Sequence, residues 1–316
     1  MKAGALLHGL VARDSRAFVA AVLLLLVALF LPAFKLPRDV YTYMVFIDIT
    51  QSMNVEDHEQ DGVPVSRLAF ARNAVHRAIQ DLPCGSRVGL GAFADYRTLA
   101  LIAPIEVCGN YNDLLIALDY IDGNMRWKNA SEIAKGVFWS VRAARDIGGH
   151  PAIVFLTDGQ ESPPLRPGVH PSAEDIKPGQ IRGWLIGVGG DTPRPIPKTD
   201  RAGNAVGYWR ADDVVQRVGE SGEKLAGSSE HLSALREPYL KELATQVGFE
   251  YARLTTPSSV SKAMRDPTFS HSEPVDTDLS WIPAAMALLV LVLRFLPDYA
   301  AWRRMRKTRP IVESAA

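Results

Sequence analysis

Two aspartates and several hydroxyl side chains could together bind a hard metal ion. The segment DITQS places Asp48, Thr50 and Ser52 at alternate positions after an apolar run, and LTDG places Asp158 after another. Mg²⁺ takes about six oxygen ligands and is commonly held by one or two carboxylates. Neutral hydroxyls would leave such a site electrophilic, so that it could accept a further carboxylate. These residue types predict a divalent-cation site, provided that the two segments meet.

The pattern of strands and helices predicts where the two segments meet. Apolar runs typical of buried strands alternate with amphipathic runs, which indicates an α/β fold with a Rossmann-like, doubly wound, mostly parallel sheet. The predicted strands are 43–48, 87–93, 98–104, 151–159, 181–190 and 249–254, and the predicted helices are 66–82, 111–121, 131–146 and 235–248. Ligands of such sheets bind beyond the carboxyl ends of the strands. Asp48 and Asp158 are therefore expected at one edge of the sheet.

The first of these motifs resembles that of a known family. DITQS resembles the D-x-S-x-S motif of the von Willebrand factor A domain, and the order of predicted elements is similar to that fold. The resemblance implies a metal-ion-dependent adhesion site, with Asp48, Thr50 and Ser52 on the first loop and Asp158 on the last. It implies Mg²⁺ as the cofactor, or another divalent cation such as Ca²⁺ or Mn²⁺.

The middle loop of the implied site is assigned through a second pattern. The stretch NASEIAKGV resembles the family's G-T-x-I pattern, which implies Ser131 as the ligand from this loop. The chain departs from the family at two positions, because Thr50 replaces a serine and Ser131 replaces a threonine. Both departures keep a side-chain oxygen. Asp48 could instead only cap the turn after its strand, and Asp158 with Gly159 could be an ordinary turn pair.

No pattern of residues indicates a catalytic site. The seven histidines show no H-E-x-x-H spacing, and GVGG lacks the G-x-G-x-x-G spacing of a dinucleotide site. A phosphoryl-aspartate site would need a second aspartate where Thr50 stands. We therefore expect a protein that is not an enzyme, with a metal-assisted hydrolase as the remaining enzymatic alternative.

Two apolar runs predict membrane anchors. The runs at 17–34 and 279–297 are long enough to cross most of a hydrocarbon layer of about 30 Å as helices. The first could instead be a cleaved signal peptide, and the second a buried core helix. The chain has 35 basic and 35 acidic residues, but residues 1–16 and 294–316 together hold nine basic and three acidic residues, so that basic ends flank an acidic middle. By the positive-inside rule both termini are cytoplasmic.

The predicted organisation is that of a two-pass protein of a bacterial inner membrane with a periplasmic domain. Its segments are a cytoplasmic leader (1–16), a transmembrane helix (17–34), the A domain (35–255) with an insert (191–234), a polar linker (256–278), a transmembrane helix (279–297) and a cytoplasmic tail (298–316). The insert is expected to hold a hairpin around DRAGN and a mobile loop. The neutral total charge offers no attraction for nucleic acid.

The two cysteines of the chain, Cys84 and Cys108, both fall in the predicted periplasmic domain. An oxidising compartment would allow a disulfide between them, although two unrelated buried thiols are the alternative. Neither cysteine has the spacing of a metal or redox motif.

Three residues near the predicted site are candidates for partner contact. Arg126 and Trp127 precede Ser131 on the expected rim, and Glu56 lies in the acidic stretch that follows DITQSM. Packing within the loop is the alternative for the first two, and a solvated loop is the alternative for Glu56.

Two membrane helices around an A domain with a long insert resemble the MoxR-associated group of membrane-anchored proteins. The resemblance implies work with a cytoplasmic MoxR-type AAA+ ATPase and sibling A-domain membrane proteins in assembling or maturing other proteins. DITQSMNVED and LPCGSRVGL are similar to the branch that accompanies methanol dehydrogenase and is implicated in loading its metal. The expected function is metal-dependent binding of an acidic residue of a protein partner. A structural scaffold with a vestigial metal site, recognising its partner through the insert, is the alternative.

Overall fold

The computed structural model describes residues 2–166, 171, 175–200, 202–216 and 229–295, with side chains described from residue 16 onward. The chain forms two compact units. One extends from Arg38 to Glu273, and the other combines the residues up to Pro37 with those from Pro274.

Strands and helices alternate through the larger unit. The strands of the described residues are β1 (Phe34–Val40), β2 (Thr42–Asp48), β3 (His58–Gln60), β4 (Val63–Val65), β5 (Arg87–Ala94), β6 (Arg97–Glu106), β7 (Ala152–Thr157), β8 (Gly183–Gly187), β9 (Arg194–Pro195), β10 (Pro197–Thr199), β11 (Ala205–Tyr208), β12 (Leu232–Ser233), β13 (Glu250–Arg253) and β14 (His271–Thr277). The α-helices are α1 (Lys2–Phe30), α2 (Arg67–Asp81), α3 (Tyr111–Tyr120), α4 (Ile133–Ile147), α5 (Glu237–Val247), α6 (Ser258–Met264) and α7 (Trp281–Phe295). Short 3₁₀ turns lie at Gln51–Asn54, Gly123–Met125, Ala211–Asp213 and Pro267–Phe269.

A six-stranded sheet in the order β13-β8-β7-β2-β5-β6 forms the centre of the larger unit. All neighbouring pairs are parallel except the β5–β6 hairpin, which is antiparallel. The central strand β2 is apolar on both faces, because Val45 and Ile47 pack with α2, α3 and α6 while Met44 and Phe46 pack with α4 and α5. The predicted doubly wound α/β fold is therefore present.

Local chemistry explains where the helices begin, end and approach the sheet. The Ser66 side chain accepts a hydrogen bond from the Ala69 amide at 3.2 Å and caps α2. Gly248 ends α5 in the left-handed conformation at φ 76°. A Cβ at Gly136 would lie 2.2 Å from the Phe93 ring, so only glycine lets α4 pack this closely.

The insert contains the predicted hairpin, since β10 pairs with β11 around the DRAGN turn. The mobile loop predicted within the insert falls partly on residues 217–228, which lie outside the described residues. A second pairing, between β9 and β12, joins the two ends of the insert.

The predicted polar linker at 256–278 is wrong for most of its length. Helix α6 buries Val260, Ala263 and Met264 in the core, and Phe269 packs against the same cluster. The apolar positions repeat at the helical spacing i, i+3, i+4, which the polar composition of the segment conceals. The larger unit consequently ends at Glu273 and not near residue 255.

The smaller unit contains the two terminal helices. Phe18 of α1 and Phe295 of α7 lie edge to face, with ring centroids 6.0 Å apart. Among the residues that the structure describes, no helix has both the length and the apolar character needed to cross a membrane.

Cys84 and Cys108 are joined by a disulfide, with their Cα atoms 5.3 Å apart. Cys84 precedes β5 and Cys108 follows β6, so the bond closes the open end of this hairpin.

Candidate metal site

Asp48 ends β2 and is completely buried. Its Oδ1 accepts a hydrogen bond from the Thr50 amide at 2.9 Å, and its Oδ2 accepts one from the Thr157 hydroxyl at 2.7 Å. Burial, together with the nearby charge of Asp158, raises the pKa of Asp48 to about 7. Within the described residues no basic side chain forms an ion pair with Asp48. Its negative charge is therefore poorly compensated by the protein.

Three hydroxyl groups lie around one cavity at this edge of the sheet. The Thr50 and Ser52 side-chain oxygens are 3.3 Å apart on the loop after β2. Ser131 is held by backbone hydrogen bonds to Ser162, and its buried hydroxyl has no hydrogen-bond partner among the described residues. Buried polar atoms are normally satisfied, so the Ser131 oxygen is available to a ligand. Because α4 begins at Ile133, two residues later than the sequence predicts, Ser131 lies in a loop at the strand ends.

Asp158 follows β7 and is also completely buried, but its surroundings differ. The Arg67 guanidinium lies 2.7 Å from Asp158 Oδ2 and donates a hydrogen bond to it. The same oxygen accepts a hydrogen bond from the Ser233 hydroxyl at 2.9 Å, and Oδ1 accepts one from the Gln160 amide. Both oxygens of Asp158 are thus engaged, and its charge is balanced by Arg67.

Sequence reasoning missed Arg67. Its side chain has no exposed surface and also donates hydrogen bonds to both oxygens of Asp57. Asp57 accepts a further bond from the Gly190 amide, and Arg67 reaches the Ser233 carbonyl oxygen. The available signal was an arginine in the first turn of an amphipathic helix, near an acidic stretch. That signal does not reveal that Asp57 contacts Gly190, directly before the insert, or that Arg67 contacts Ser233, near the end of the insert.

The hydroxyls of the candidate site open into a cavity of about 270 Å³. The insert supplies one side of it. The lining residues are Thr50, Gln51, Ser52, Asn129, Ala130, Ser131, Gln160, Ser162, Pro163, Ile196, Trp209, Asp213, Val214, Val215 and Glu230. The structure therefore brings the three hydroxyls predicted from sequence to one cavity, with Asp48 and Asp158 buried on the adjoining strand ends.

The residues predicted to contact a partner have different surroundings. Arg126 donates hydrogen bonds to Asn129, to the Gly123 carbonyl and to Thr199, which supports loop packing and contact with the insert. Trp127 is 42% exposed, and Glu56 is exposed. Trp127 and Glu56 are accessible for partner contact.

Another buried carboxylate, Glu161, lies three residues after Asp158. It accepts hydrogen bonds from the Ala134 amide at 3.1 Å and from the Tyr239 hydroxyl. Burial raises the pKa of Glu161 to about 7 despite these bonds. Glu161 connects the start of α4, and so the loop of Ser131, to α5.

Comparison with known proteins agrees with this architecture. Residues 43–160, which include all five predicted metal ligands, match the family model of the von Willebrand factor type A domain. This part of the chain is therefore similar to such a domain, and the chain has the corresponding α/β fold with a central, mostly parallel sheet.

Curated relatives extend the similarity beyond that domain. A UPF0353 protein of Mycobacterium sp. (strain KMS) is 28% identical over 247 residues, covering 73% of this chain and 68% of the relative. A UPF0353 protein of Mycobacterium tuberculosis (strain ATCC 25177 / H37Ra) is 24% identical over 237 residues, covering 68% and 63%. Among solved structures, an aerotolerance-related membrane protein of Bacteroides fragilis NCTC 9343 is 20% identical, with 71% of this chain and 96% of that chain covered and a TM-score of 0.48.

Proposed function

We propose that this protein is a membrane-anchored module that binds a protein partner through a divalent cation. One observation carries the proposal. The Thr50, Ser52 and unpartnered Ser131 hydroxyls open into one cavity at the carboxyl edge of the sheet, beside the poorly compensated carboxylate of Asp48.

The oxygens at this edge suit a hard cation. Asp48, Thr50, Ser52 and Ser131 would hold Mg²⁺, or Ca²⁺ or Mn²⁺, and all offer oxygen, the ligand atom that these ions prefer. Asp158 would contribute mainly through its negative charge rather than as a direct ligand, because its Oδ2 is already in an ion pair with the Arg67 guanidinium. When bound, the cation would supply an electrophilic centre for a partner's carboxylate. The protein's own part is to hold the oxygens in place, and no catalytic step is assigned to it.

The proposed setting is the periplasmic side of a bacterial inner membrane. Residues 17–34 and 279–297 would be the two anchors, and the basic ends of the chain would place both termini in the cytoplasm. The Cys84–Cys108 disulfide supports an oxidising compartment for the domain. The proposed role is assembly, maturation or metal loading of a partner, with sibling A-domain proteins, a MoxR-type ATPase and a methanol dehydrogenase as candidates to test.

The metal is tested by thermal unfolding of the full chain in detergent micelles, with Mg²⁺ or with EDTA. Mg²⁺ at a hundredfold excess over its Kd should stabilise the wild type by about 2.7 kcal/mol. Ser131→Ala should lose most of this stabilisation. Ser140→Ala is the matched control, because Ser140 is equally buried but bonds to a carbonyl within its own helix.

The result that contradicts metal dependence is a wild-type melting curve that millimolar Mg²⁺, Ca²⁺ and Mn²⁺ all leave unchanged. That result would favour the second candidate, a scaffold with a vestigial metal site. The ion pair between Arg67 and Asp158 supports this candidate, because it already balances one of the two predicted carboxylate ligands.

A further inference from the structure

The insert is attached directly to the loop that carries the candidate metal ligands. Gln51 lies between Thr50 and Ser52, and its amide oxygen accepts hydrogen bonds from the Trp209 indole at 2.6 Å and from the Thr199 amide at 3.3 Å. Its amide nitrogen donates to Asn129 Oδ1 at 2.9 Å and to the Thr199 carbonyl at 3.4 Å. One side chain thus joins the loop after β2, the loop of Ser131 and the insert.

The insert supplies the larger apolar residues that line the cavity, which are Ile196, Trp209, Val214 and Val215. The strand-end loops supply hydroxyls and amides, which are called the floor of the cavity here. At about 270 Å³ the cavity is slightly smaller than the pockets of roughly 300–1,000 Å³ that hold drug-sized ligands. It has room for a single side chain and part of a neighbouring one.

The acidic residues of the cavity do not make it a site for a basic ligand. Asp213 forms an ion pair with Lys198, and Glu230 forms one with Arg236, each at 3.4 Å. A cation on the floor would further oppose a basic group and favour a carboxylate.

We propose that four apolar residues of the insert, Ile196, Trp209, Val214 and Val215, form a selectivity wall, which favours an acidic side chain of a protein partner when an apolar residue adjoins it. Gln51 attaches the wall to the loop after β2 through its hydrogen bond with the Trp209 indole. This inference depends on the proposed function, because the acidic side chain is expected to enter toward a bound cation. The wall favours an apolar residue beside the partner's acidic side chain, a preference that the oxygens of the floor cannot supply.

The test uses three capped tetrapeptides, Gly-Asp-Leu-Gly, Gly-Asp-Ser-Gly and Gly-Asn-Leu-Gly, titrated into the full chain in detergent micelles with millimolar Mg²⁺. Tryptophan fluorescence reports binding, since Trp209 lines the cavity, and Trp209→Phe assigns the signal. The Asp-Leu peptide should bind about tenfold more tightly than the Asp-Ser peptide, which corresponds to burial of part of one apolar side chain. The Asn-Leu peptide should bind far more weakly than either.

Matched valine variants locate the preference. Val214→Ser should reduce the Asp-Leu preference to about twofold or less without weakening the Asp-Ser peptide, because Val214 lines the cavity. Val206→Ser should keep the preference, because Val206 is exposed on the hairpin and does not line the cavity. Gln51→Leu should also lose the preference, since the wall would lose its attachment.

The possible outcomes separate the wall from the site beneath it. Equal Mg²⁺-dependent binding of the Asp-Leu and Asp-Ser peptides to the wild type would overturn the wall and leave the proposed function intact. A preference that survives in Val214→Ser would also overturn it. If the Asn-Leu peptide binds as well as the Asp-Leu peptide, or if Mg²⁺ has no effect on binding, the proposed function fails and the inference fails with it.

Discussion

Asp48 and Asp158 follow neighbouring strands of one sheet, and both are completely buried, yet their charges are balanced in different ways. Asp158 has the guanidinium of Arg67 and the hydroxyl of Ser233 against one oxygen. In the part of the chain that the structure describes, Asp48 accepts side-chain and backbone hydrogen bonds from neutral donors alone, on Thr50 and Thr157. Burial therefore raises the pKa of Asp48 to about 7.

The difference separates a polar cluster whose charges are paired within the protein from the site at which we propose that a cation binds. A buried charge is expensive unless it is paired, and Arg67 provides that pairing for Asp158 and Asp57. The cluster around Arg67 is complete within the protein. The charge of Asp48 and the free oxygen of Ser131 lack such partners, and this is where a cation would add most.

Among the variants that probe this comparison, the one that lacks Arg67 should lose the most stability. Arg67→Met leaves two buried carboxylates without a cation and should lower the free energy of unfolding by about 3–5 kcal/mol. Urea unfolding of the full chain in detergent micelles would measure it. Arg77→Met is the matched control on the same helix, since Arg77 forms an exposed i,i+4 pair with Asp81 and should cost less than about 0.5 kcal/mol. Equal losses in the two variants would contradict the structural role of Arg67.

A variant without the disulfide would show whether the proposed Mg²⁺ site depends only on its local surroundings. The disulfide links residues that are 24 positions apart in the chain. Replacing both Cys84 and Cys108 with serine removes this cross-link from the unfolded state and should lower the free energy of unfolding by about 3 kcal/mol. The stabilisation by Mg²⁺ should stay within about 0.5 kcal/mol of the wild-type value, because distant sites are usually additive. A lost Mg²⁺ response in this variant would show that the site depends on the whole domain.

Glu161 should titrate like Asp48, because it too is buried and no basic side chain of the described residues pairs with it. Its pKa is raised from 4.5 to about 7 on folding, so its contribution to stability is present below about pH 4.5 and is lost as the pH rises through about 7. Glu161→Gln removes this titration. The stability of the variant relative to the wild type should therefore rise by about 2 kcal/mol from about pH 5 to about pH 8. Parallel pH profiles from urea unfolding would show that Glu161 stays ionised.

The smallest expected effect is the difference in stability between the asparagine variants of the two aspartates. In EDTA near pH 8, Asp158→Asn should cost about 1.5 kcal/mol more stability than Asp48→Asn. The reason is that the first variant breaks a charge-assisted pair with Arg67, whereas the second removes an uncompensated buried charge. Thermal unfolding of the two variants measures the difference. A larger loss in Asp48→Asn would mean that the protein itself compensates Asp48.

Much of the fold could be predicted because it depends on local pattern. The apolar run of β2, the spacing of α2 behind Ser66 and the glycine that ends α5 are properties of neighbouring residues. The prediction of a linker was wrong because the segment has only a few apolar residues that enter the core, Val260, Ala263 and Met264. The core residues that they contact come from strands distant in the sequence.

The order of the elements could be predicted, as could the placement of Asp48, Thr50, Ser52 and Asp158 at or just after strand ends, because these are properties of short segments. How the charges of the two aspartates are balanced depends on the tertiary structure. Arg67 reaches Asp158 across 91 positions, and Gln51 reaches Trp209 across 158. Such pairings depend on which loops the sheet brings to one edge. Charge compensation and the walls of a cavity are long-range properties, and no local pattern in the chain encodes them.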